Sequence, residues 1–441
     1  MRKSNDKEVL NETVFKQAYP EYVKILERLC ASYPTTSGTH FESLVNFKTN
    51  KNSPKHKWYD YKHGYSELLV SHIIDSEKPN KELSILDPFC GVGTTNLTAQ
   101  DKGYNTIGFD INPMAVLASN VKTYHYSENE IFNIKNIIEN FILPKQRVSL
   151  NGGKVIQTSF TEDVLEILCR LMYFVNNIDN KPIQDFFRLA LVAIVSDCSL
   201  KVKDGNGLKF KKNYRPIPNL VSFYLEKCTS MLVDIQQSNS ILKTKIYFGS
   251  MMDLDSFSRI ESEKIGLCIF SPPYANCFDY CEVYKLEFWI GGFVKSYEDF
   301  ETYRSLAMRS HVNSKFNHSL TFENRDVEII ANLISTFNIW NKNIPDMLRG
   351  YFDDMERLLF NLKDILVDGG KCYIVVANSG YKGILVPTDL LIADISQKYG
   401  FKVNNIFHAR KIRSSSQQME VLGNKYDNLM SESVIELELK K

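Results

Sequence analysis

Two continuous apolar runs frame this chain, and each stops abruptly at a polar residue. Ser84-Ile85-Leu86 ends at Asp87, and Gly266-Leu267-Cys268-Ile269-Phe270 ends at Ser271. Short runs without polar alternation read as strands buried on both faces of a parallel sheet. A third run, Thr106-Ile107-Gly108-Phe109, closes at Asp110, and Asn112-Pro113 opens a helix after it. Further strands are expected at 245–248, 372–376, 401–407 and 434–439. From about 125 to 240 the period changes. Apolar residues recur every three or four positions across 160–178, 183–199 and 219–237, which predicts helices and no strand series. Another helix is expected over 9–33, through Val14, Phe15, Tyr22, Val23, Leu26 and Leu29, and others near 282–291, 346–366 and 387–398. Strands alternating with helices give an α/β class, with a helical subdomain inserted between the second and third strands.

The polar ends of the apolar runs carry the candidate chemistry. After Asp87, Gly91 and Gly93 let the backbone turn sharply and lie close to a ligand without a Cβ in the way. A helix starting near Thr94 points its N-terminal amides into the same crevice. Asp110 follows about 20 residues after the glycine turn and closes the second strand, where an acid can accept from ribose hydroxyls. A dinucleotide site shows Gly-x-Gly-x-x-Gly, but Asn96 stands at the third glycine position, which argues against a nicotinamide cofactor. Taken singly, a strand-helix turn and a surface acid would be the plain readings of these residues. Their combination favours a ligand site.

The cluster Ser271-Pro272-Pro273-Tyr274 is more specific. Two prolines lock φ and remove two backbone donors, leaving carbonyls to accept from something else. An exocyclic amine offers two N–H hydrogens and a lone pair delocalised into its ring. Ser271 Oγ and the Pro272 carbonyl suit holding those hydrogens, and Tyr274 offers a face for a base, a stacking worth roughly 1–3 kcal/mol. The alternative is a proline-stiffened loop, a poor fit for the end of a buried strand.

Asp87-Pro88-Phe89-Cys90-Gly91-Val92-Gly93-Thr94-Thr95, followed by Ser271–Tyr274, resembles the cofactor and catalytic motifs of the S-adenosylmethionine-dependent amino-methyltransferases of DNA. The resemblance covers about 55–125 and 244–440. It implies a Rossmann-like methyltransferase fold, a seven-stranded mixed sheet with helices on both faces, ended by an antiparallel hairpin of the strands at 401–407 and 434–439. It also implies that Asp87 lies near the methionine amino end of S-adenosyl-L-methionine. Phe89, Gly91 and Gly93 would form the cofactor's floor, with Thr94, Asp110 and Ile111 beside it. Asp253, after the strand at 245–248, would accept from the adenine amino group or simply cap a turn. Trp58-Tyr59 and residues 66–74 would cover the methionine part, or belong to the core. The serine spelling leans to cytosine N4 ahead of adenine N6, with the target base flipped out of double-stranded DNA. The implied layout is an N-terminal helical extension (1–54), a cofactor-binding half (55–125), the helical subdomain (126–243) and a catalytic half (244–441). The catalytic half holds a polar insertion at 293–345 with Arg304, Arg309, His311, Asn313, His318 and Arg325. Either the subdomain or this insertion is a candidate for target recognition. Guanine-N2 methylation of RNA and a non-catalytic nucleic-acid-binding subunit remain as alternatives. A protein-glutamine methyltransferase would carry Asn where Ser271 stands.

Composition narrows the setting. The 441 residues are 44% hydrophobic with a net charge of +1, which fits an elaborated enzyme core and a local rather than global nucleic-acid footprint. The basic residues are clustered: Lys201, Lys203, Lys209, Lys211, Lys212 and Arg215 crowd one glycine-containing stretch expected to be a loop. Arg410, Lys411 and Arg413 precede Ser414-Ser415-Ser416-Gln417-Gln418. Lys209, Lys211, Lys212, Arg410 and Arg413 are the candidate phosphate contacts. For the first cluster a solvated loop is the equal alternative. The nine cysteines lack zinc-type pairing, so no metal is expected. No secretory or membrane segment stands out, and a cytoplasmic enzyme is expected, with a restriction endonuclease or other defence protein as a candidate partner.

Overall fold

The computed structural model describes residues 17–37, 39–61, 64–205, 207–236, 242–314, 320–412 and 429–441. Val14, Phe15, His318, Arg413 and residues 414–418, all singled out above, lie outside them. In chain order the first six strands are β1 (Thr35–Ser37), β2 (Ser84–Asp87), β3 (Thr106–Asp110), β4 (Lys201–Asp204), β5 (Gly207–Phe210) and β6 (Thr244–Phe248). They are followed by β7 (Ile265–Phe270), β8 (Leu366–Ala377), β9 (Ser379–Tyr381), β10 (Ile384–Val386), β11 (Phe401–Lys411) and β12 (Ser431–Leu439). The chain divides into two compact units. One comprises the described parts of Met1–Val45, Met251–Phe278 and Ala307–Lys441, the other Asn46–Ser250 and Asp279–Leu306.

The second of these units holds three parallel strands in the order β2-β3-β6, with Ile85 opposite Thr106 and Phe109 opposite Tyr247. The apolar residues of β2 and β3 are buried, as their unbroken runs require. The expected helices are present as Glu162–Asn176, Lys181–Cys198 and Leu220–Gln236, and they share the unit with the glycine turn. Their starts follow local chemistry: Asn180 accepts from Ile183 N at 3.0 Å, and a Ser127/Glu130 capping box opens the helix Glu128–Glu139.

One element corrects the sequence reading. The stretch expected to be a basic loop contains an antiparallel hairpin, β4 paired with β5 from Lys201/Phe210 to Asp204/Gly207. Alternating residues, Val202 against Lys203 and Leu208 against Lys209, together with Gly205 at φ 53, favour the hairpin. Its lysines are partly internal. Lys203 pairs with the buried Glu287 at 2.5 Å and lies over the Tyr284 ring at 4.0 Å. Lys211 donates to the Ser196 and Asp197 carbonyls at 2.9 and 3.0 Å, closing the end of the helix Lys181–Cys198.

The first unit holds five strands in the order β1-β11-β12-β8-β7. β7 and β8 are parallel, while β8, β12 and β11 are successively antiparallel. The hairpin expected at the chain's end is therefore present. Apart from the two-stranded pairs β4–β5 and β9–β10, the described strands number eight against an expected seven, the extra one being β1, parallel to β11. Its residues, Thr35-Thr36-Ser37, are polar and exposed, so no apolar pattern announces it. The fold class is α/β and Rossmann-like, with a mixed set of strands and surrounding helices. The helix Pro20–Ser32 docks onto this unit through the Tyr22 hydroxyl, which donates to the Leu385 carbonyl at 3.0 Å and accepts from Leu385 N at 2.9 Å. No helix among the described residues is long and apolar enough to cross a membrane. All nine cysteines are free thiols, and all but Cys30 are buried.

Candidate active site

The glycine turn and its carboxylates form a single polar cluster in the second unit. Gly91 and Gly93 have φ of 50° and 78°, the left-handed region that disfavours a Cβ. A Cβ on Gly93 would stand 2.9 Å from Ser119 Oγ and 3.1 Å from Ser119 Cα, so this glycine also seats the turn on the helix Pro113–Thr123. A Cβ on Gly91 would meet the Tyr61 ring at 3.3 Å. Asp110 fastens the turn to the end of β3: its Oδ2 accepts from Gly91 N and its Oδ1 from Asn112 N, both at 2.8 Å. Ser119 Oγ donates to the Gly91 carbonyl at 2.7 Å and Lys122 Nζ to the Val92 carbonyl at 3.1 Å.

Asp87, at the end of β2, is fully buried. It accepts from the Tyr65 hydroxyl at 2.7 Å and from Phe89 N at 3.0 Å, and Tyr65 also bonds Thr95. Burial pushes the Asp87 carboxyl up to about 7, against those hydrogen bonds and with Asp110 adding to the rise. Burial likewise pushes Asp110 up to about 6, while backbone N–H groups, Asn112 and Gly91 among them, oppose it. Two desolvated acids beside a glycine turn make a place where a ligand bringing a cation and hydroxyl donors replaces water. Thr94 opens the adjacent helix and is buried, and Phe89 and Ile111 are half-buried alongside.

Tyrosines that the sequence motifs do not include wall this cluster. Tyr61 stacks on Tyr284 with centroids 4.9 Å apart and on Tyr280 at 6.2 Å. Next to Val92 and Thr94 lies a cavity of about 260 Å³, lined also by Asn50, Tyr59, Tyr61 and the buried Lys122. Burial pulls Lys122 down to about 7. Trp58 and Tyr59 are buried in this unit: Trp58 Nε1 donates to Asp234 at 2.7 Å, and the Tyr59 hydroxyl to Glu287 at 3.3 Å.

The Ser271–Tyr274 cluster stands in the first unit, straight after β7. Ser271 Oγ donates to the Val375 carbonyl at 3.0 Å. A hydroxyl has one hydrogen and two lone pairs, so this bond leaves Ser271 Oγ its acceptor capacity. Pro272 is buried, and Pro273 and Tyr274 are half-buried. The Tyr274 hydroxyl donates to Glu432 Oε1 at 2.7 Å. The turn beyond is tight: Asn276 N donates to the Tyr274 carbonyl at 2.7 Å, and Cys277 sits at φ 69°. Tyr381 holds it by donating its hydroxyl to the Ala275 carbonyl at 2.6 Å. A non-glycine residue at positive φ costs on the order of 1–3 kcal/mol and persists where its surroundings dictate it.

The remaining sequence candidates are distributed as follows. Asp253 is exposed and caps the short helix Leu254–Ser258, accepting from Ser256 N at 3.3 Å, which matches its turn-capping alternative. Arg410 Nε donates to Glu432 Oε2 at 2.5 Å. Lys209 and Lys212 are exposed, Lys209 pairing with Asp204 at 3.2 Å. In the 293–345 region, Arg304 is tied to Asp279 and Glu282, and Arg309 to Asp353 and Asp354, so both arginines serve internal ion pairs.

A family model described as DNA methylase, N6_N4_Mtase, matches residues 1–120. The chain is similar to type II methyltransferases along most of its length. It is 27% identical to M.BsoBI of Geobacillus stearothermophilus, covering 87% of this chain and 86% of that protein. It is 23% identical to M.AvaI of Anabaena variabilis, covering 93% and 92%. Among solved structures, the rRNA methyltransferase aviRa of Streptomyces viridochromogenes aligns over 91% of this chain and 96% of that one, with a TM-score of 0.33 at 7% identity. The sequence matches bear out the resemblance to the amino-methyltransferases of DNA.

Proposed function

We propose that this chain methylates the exocyclic amino group of a base in DNA, with S-adenosylmethionine as methyl donor, in a restriction-modification setting. The similarity to type II methyltransferases along 87% of the chain supports DNA as the substrate. Cytosine N4 is the favoured target because serine opens the Ser-Pro-Pro-Tyr cluster. Adenine N6 is the second reading.

One observation carries the site assignment: the Val375 carbonyl at 3.0 Å is the nearer acceptor for the Ser271 hydrogen, with the Tyr274 hydroxyl at 3.5 Å, so the Oγ lone pairs face an incoming donor at the end of a buried strand. An amine nitrogen held by its N–H groups needs acceptors, and the Pro272 carbonyl is the other one. Tyr274 stacks on the flipped base. The cofactor fits the second cluster, where Asp87 suits its ammonium group, Asp110 its ribose hydroxyls, and Gly91 and Gly93 give its backbone approach. When bound, S-adenosylmethionine supplies an electrophilic methyl on a positive sulfur. The chain's own residues orient the amine and accept its hydrogen bonds, and positioning carries most of the rate. Asp253, Lys209, Lys212 and Arg410 are secondary proposals for adenine and phosphate contacts.

Tyr274→Ala tests the assignment. It should lose most DNA methylation while cofactor affinity, measured by calorimetry, stays within about twofold, since the lost term is base stacking. Methylation by this variant at the wild-type rate would remove Ser271–Tyr274 from the active site.

A further inference from the structure

Two strands position both ends of the Ser-Pro-Pro-Tyr cluster. Ser271 is held through the Val375 carbonyl of β8, and Tyr274 through Glu432 of β12. The strands are in register, with Glu432 opposite Ala377 and Val434 opposite Val375. Glu432 is 6% exposed, and it is the middle residue of a buried polar run, Ser431-Glu432-Ser433, where a strand would ordinarily place apolar side chains. Its two oxygens are divided: Oε1 takes the Tyr274 hydroxyl at 2.7 Å and Oε2 takes Arg410 Nε at 2.5 Å. Hydrogen bonds of this kind, with a charged partner and short distances, are the strong ones. Desolvating a carboxylate to hold one phenol is costly, and the arginine offsets that cost.

We propose that Glu432 is a positioning residue that fixes the plane of the Tyr274 ring and enriches its face, with Arg410 holding Glu432 in place. The inference rests on the reading of Tyr274 as the surface on which the base stacks. During transfer the amine lone pair forms the N–CH₃ bond while the C–S pair returns to sulfur. Positive charge therefore leaves the sulfur and resides on the base until one N–H proton passes to solvent. A ring face attracts a cation, and a phenol hydrogen-bonded to a carboxylate presents a more negative face than a free one. Glu432 thus acts on a charge that exists in the transition state and is absent from the ground state, so it should govern kcat rather than KM.

The experiment is a kinetic cycle on the full chain: wild type, Glu432→Gln, Tyr274→Phe and the double variant, with DNA as substrate and melting temperature as a control. Glu432→Gln should lower kcat by about tenfold, with KM for DNA changed by less than about threefold and cofactor affinity unchanged. Tyr274→Phe should lose about as much, and the double variant should lose no more than either single change, because the hydroxyl–carboxylate link is then already gone. If Glu432→Gln does not fold, Tyr274→Phe carries the test, since it keeps the ring and removes the hydroxyl that makes the link, along with that hydroxyl's longer 3.5 Å contact to Ser271 Oγ. Wild-type kcat in either foldable single variant, or losses that multiply in the double variant, would overturn the inference. Loss of activity in Tyr274→Ala beside wild-type kcat in Glu432→Gln would sink this inference alone. Wild-type activity in Tyr274→Ala would sink the site assignment beneath it.

Discussion

At the scale of single residues, the buried Asp87 and the half-buried Asp110 set a pH dependence with a definite sign. Asp87 is pushed up to about 7 and Asp110 to about 6, both above the ordinary range for an unfolded chain, about 3.9. Between those values the folded, ligand-free chain binds more protons than the unfolded one. Its stability should therefore fall as pH rises from about 4 to 7, and Asp87→Asn should weaken that fall. Cofactor affinity should move the opposite way, tightening between about pH 5.5 and 7.5 and levelling above, because the ligand's cation and hydroxyls need ionised acceptors. Calorimetric titration across that interval checks it, and a flat affinity would contradict the role given to Asp87. Gly91→Val should abolish binding with the fold intact, since it puts a branched side chain at φ 50° against Tyr61. Asp110→Ala should weaken binding by roughly 1.5–3 kcal/mol, the scale of a charged hydrogen bond. The glycine turn after β2 and the polar end of β7 were legible in sequence, because left-handed glycines and the abrupt stop of an apolar run each leave a local signature. Tyr61, Tyr65 and Glu432 were not, because each reaches its partner only through tertiary structure. The polar run Ser431-Glu432-Ser433 ahead of an apolar strand was the one available signal for Glu432.

At the scale of elements, unbroken apolar runs located β2, β3 and β7, and helical spacing located the three long helices of the insert, because in both cases burial dictates the pattern. Edge and surface elements escaped. β1 is three polar, exposed residues, and the β4–β5 hairpin was hidden by its lysines, which read as solvated charge. That hairpin now divides its basic residues into two classes. Lys203 and Lys211 are bound to Glu287 and to helix-end carbonyls, whereas Lys209 and Lys212 face outward. Replacing Lys209 and Lys212 by alanine should reduce the slope of log K against log salt by about 0.9 for each phosphate no longer neutralised, with the melting temperature unchanged. Lys211→Ala should lower the melting temperature instead, by uncapping the helix Lys181–Cys198. An unaltered slope in the double alanine variant would make the outward face ordinary solvated surface.

For the whole molecule, the glycine turn follows β2, the Ser271–Tyr274 cluster follows β7, and the chain closes on the antiparallel pair β11–β12. The helices between β3 and β6 share a compact unit with the glycine turn. Ser271→Asp should lower cytosine methylation more than adenine methylation if that position sets base preference. The most direct measurement is to incubate the chain with isotopically labelled S-adenosylmethionine and separate pools of DNA and RNA, then identify the labelled nucleoside by mass spectrometry. The account predicts label in DNA on an exocyclic amine, as N4-methylcytosine ahead of N6-methyladenine, and none in RNA. Label confined to RNA, or on a ring carbon, or on no nucleoside from either pool, would contradict it.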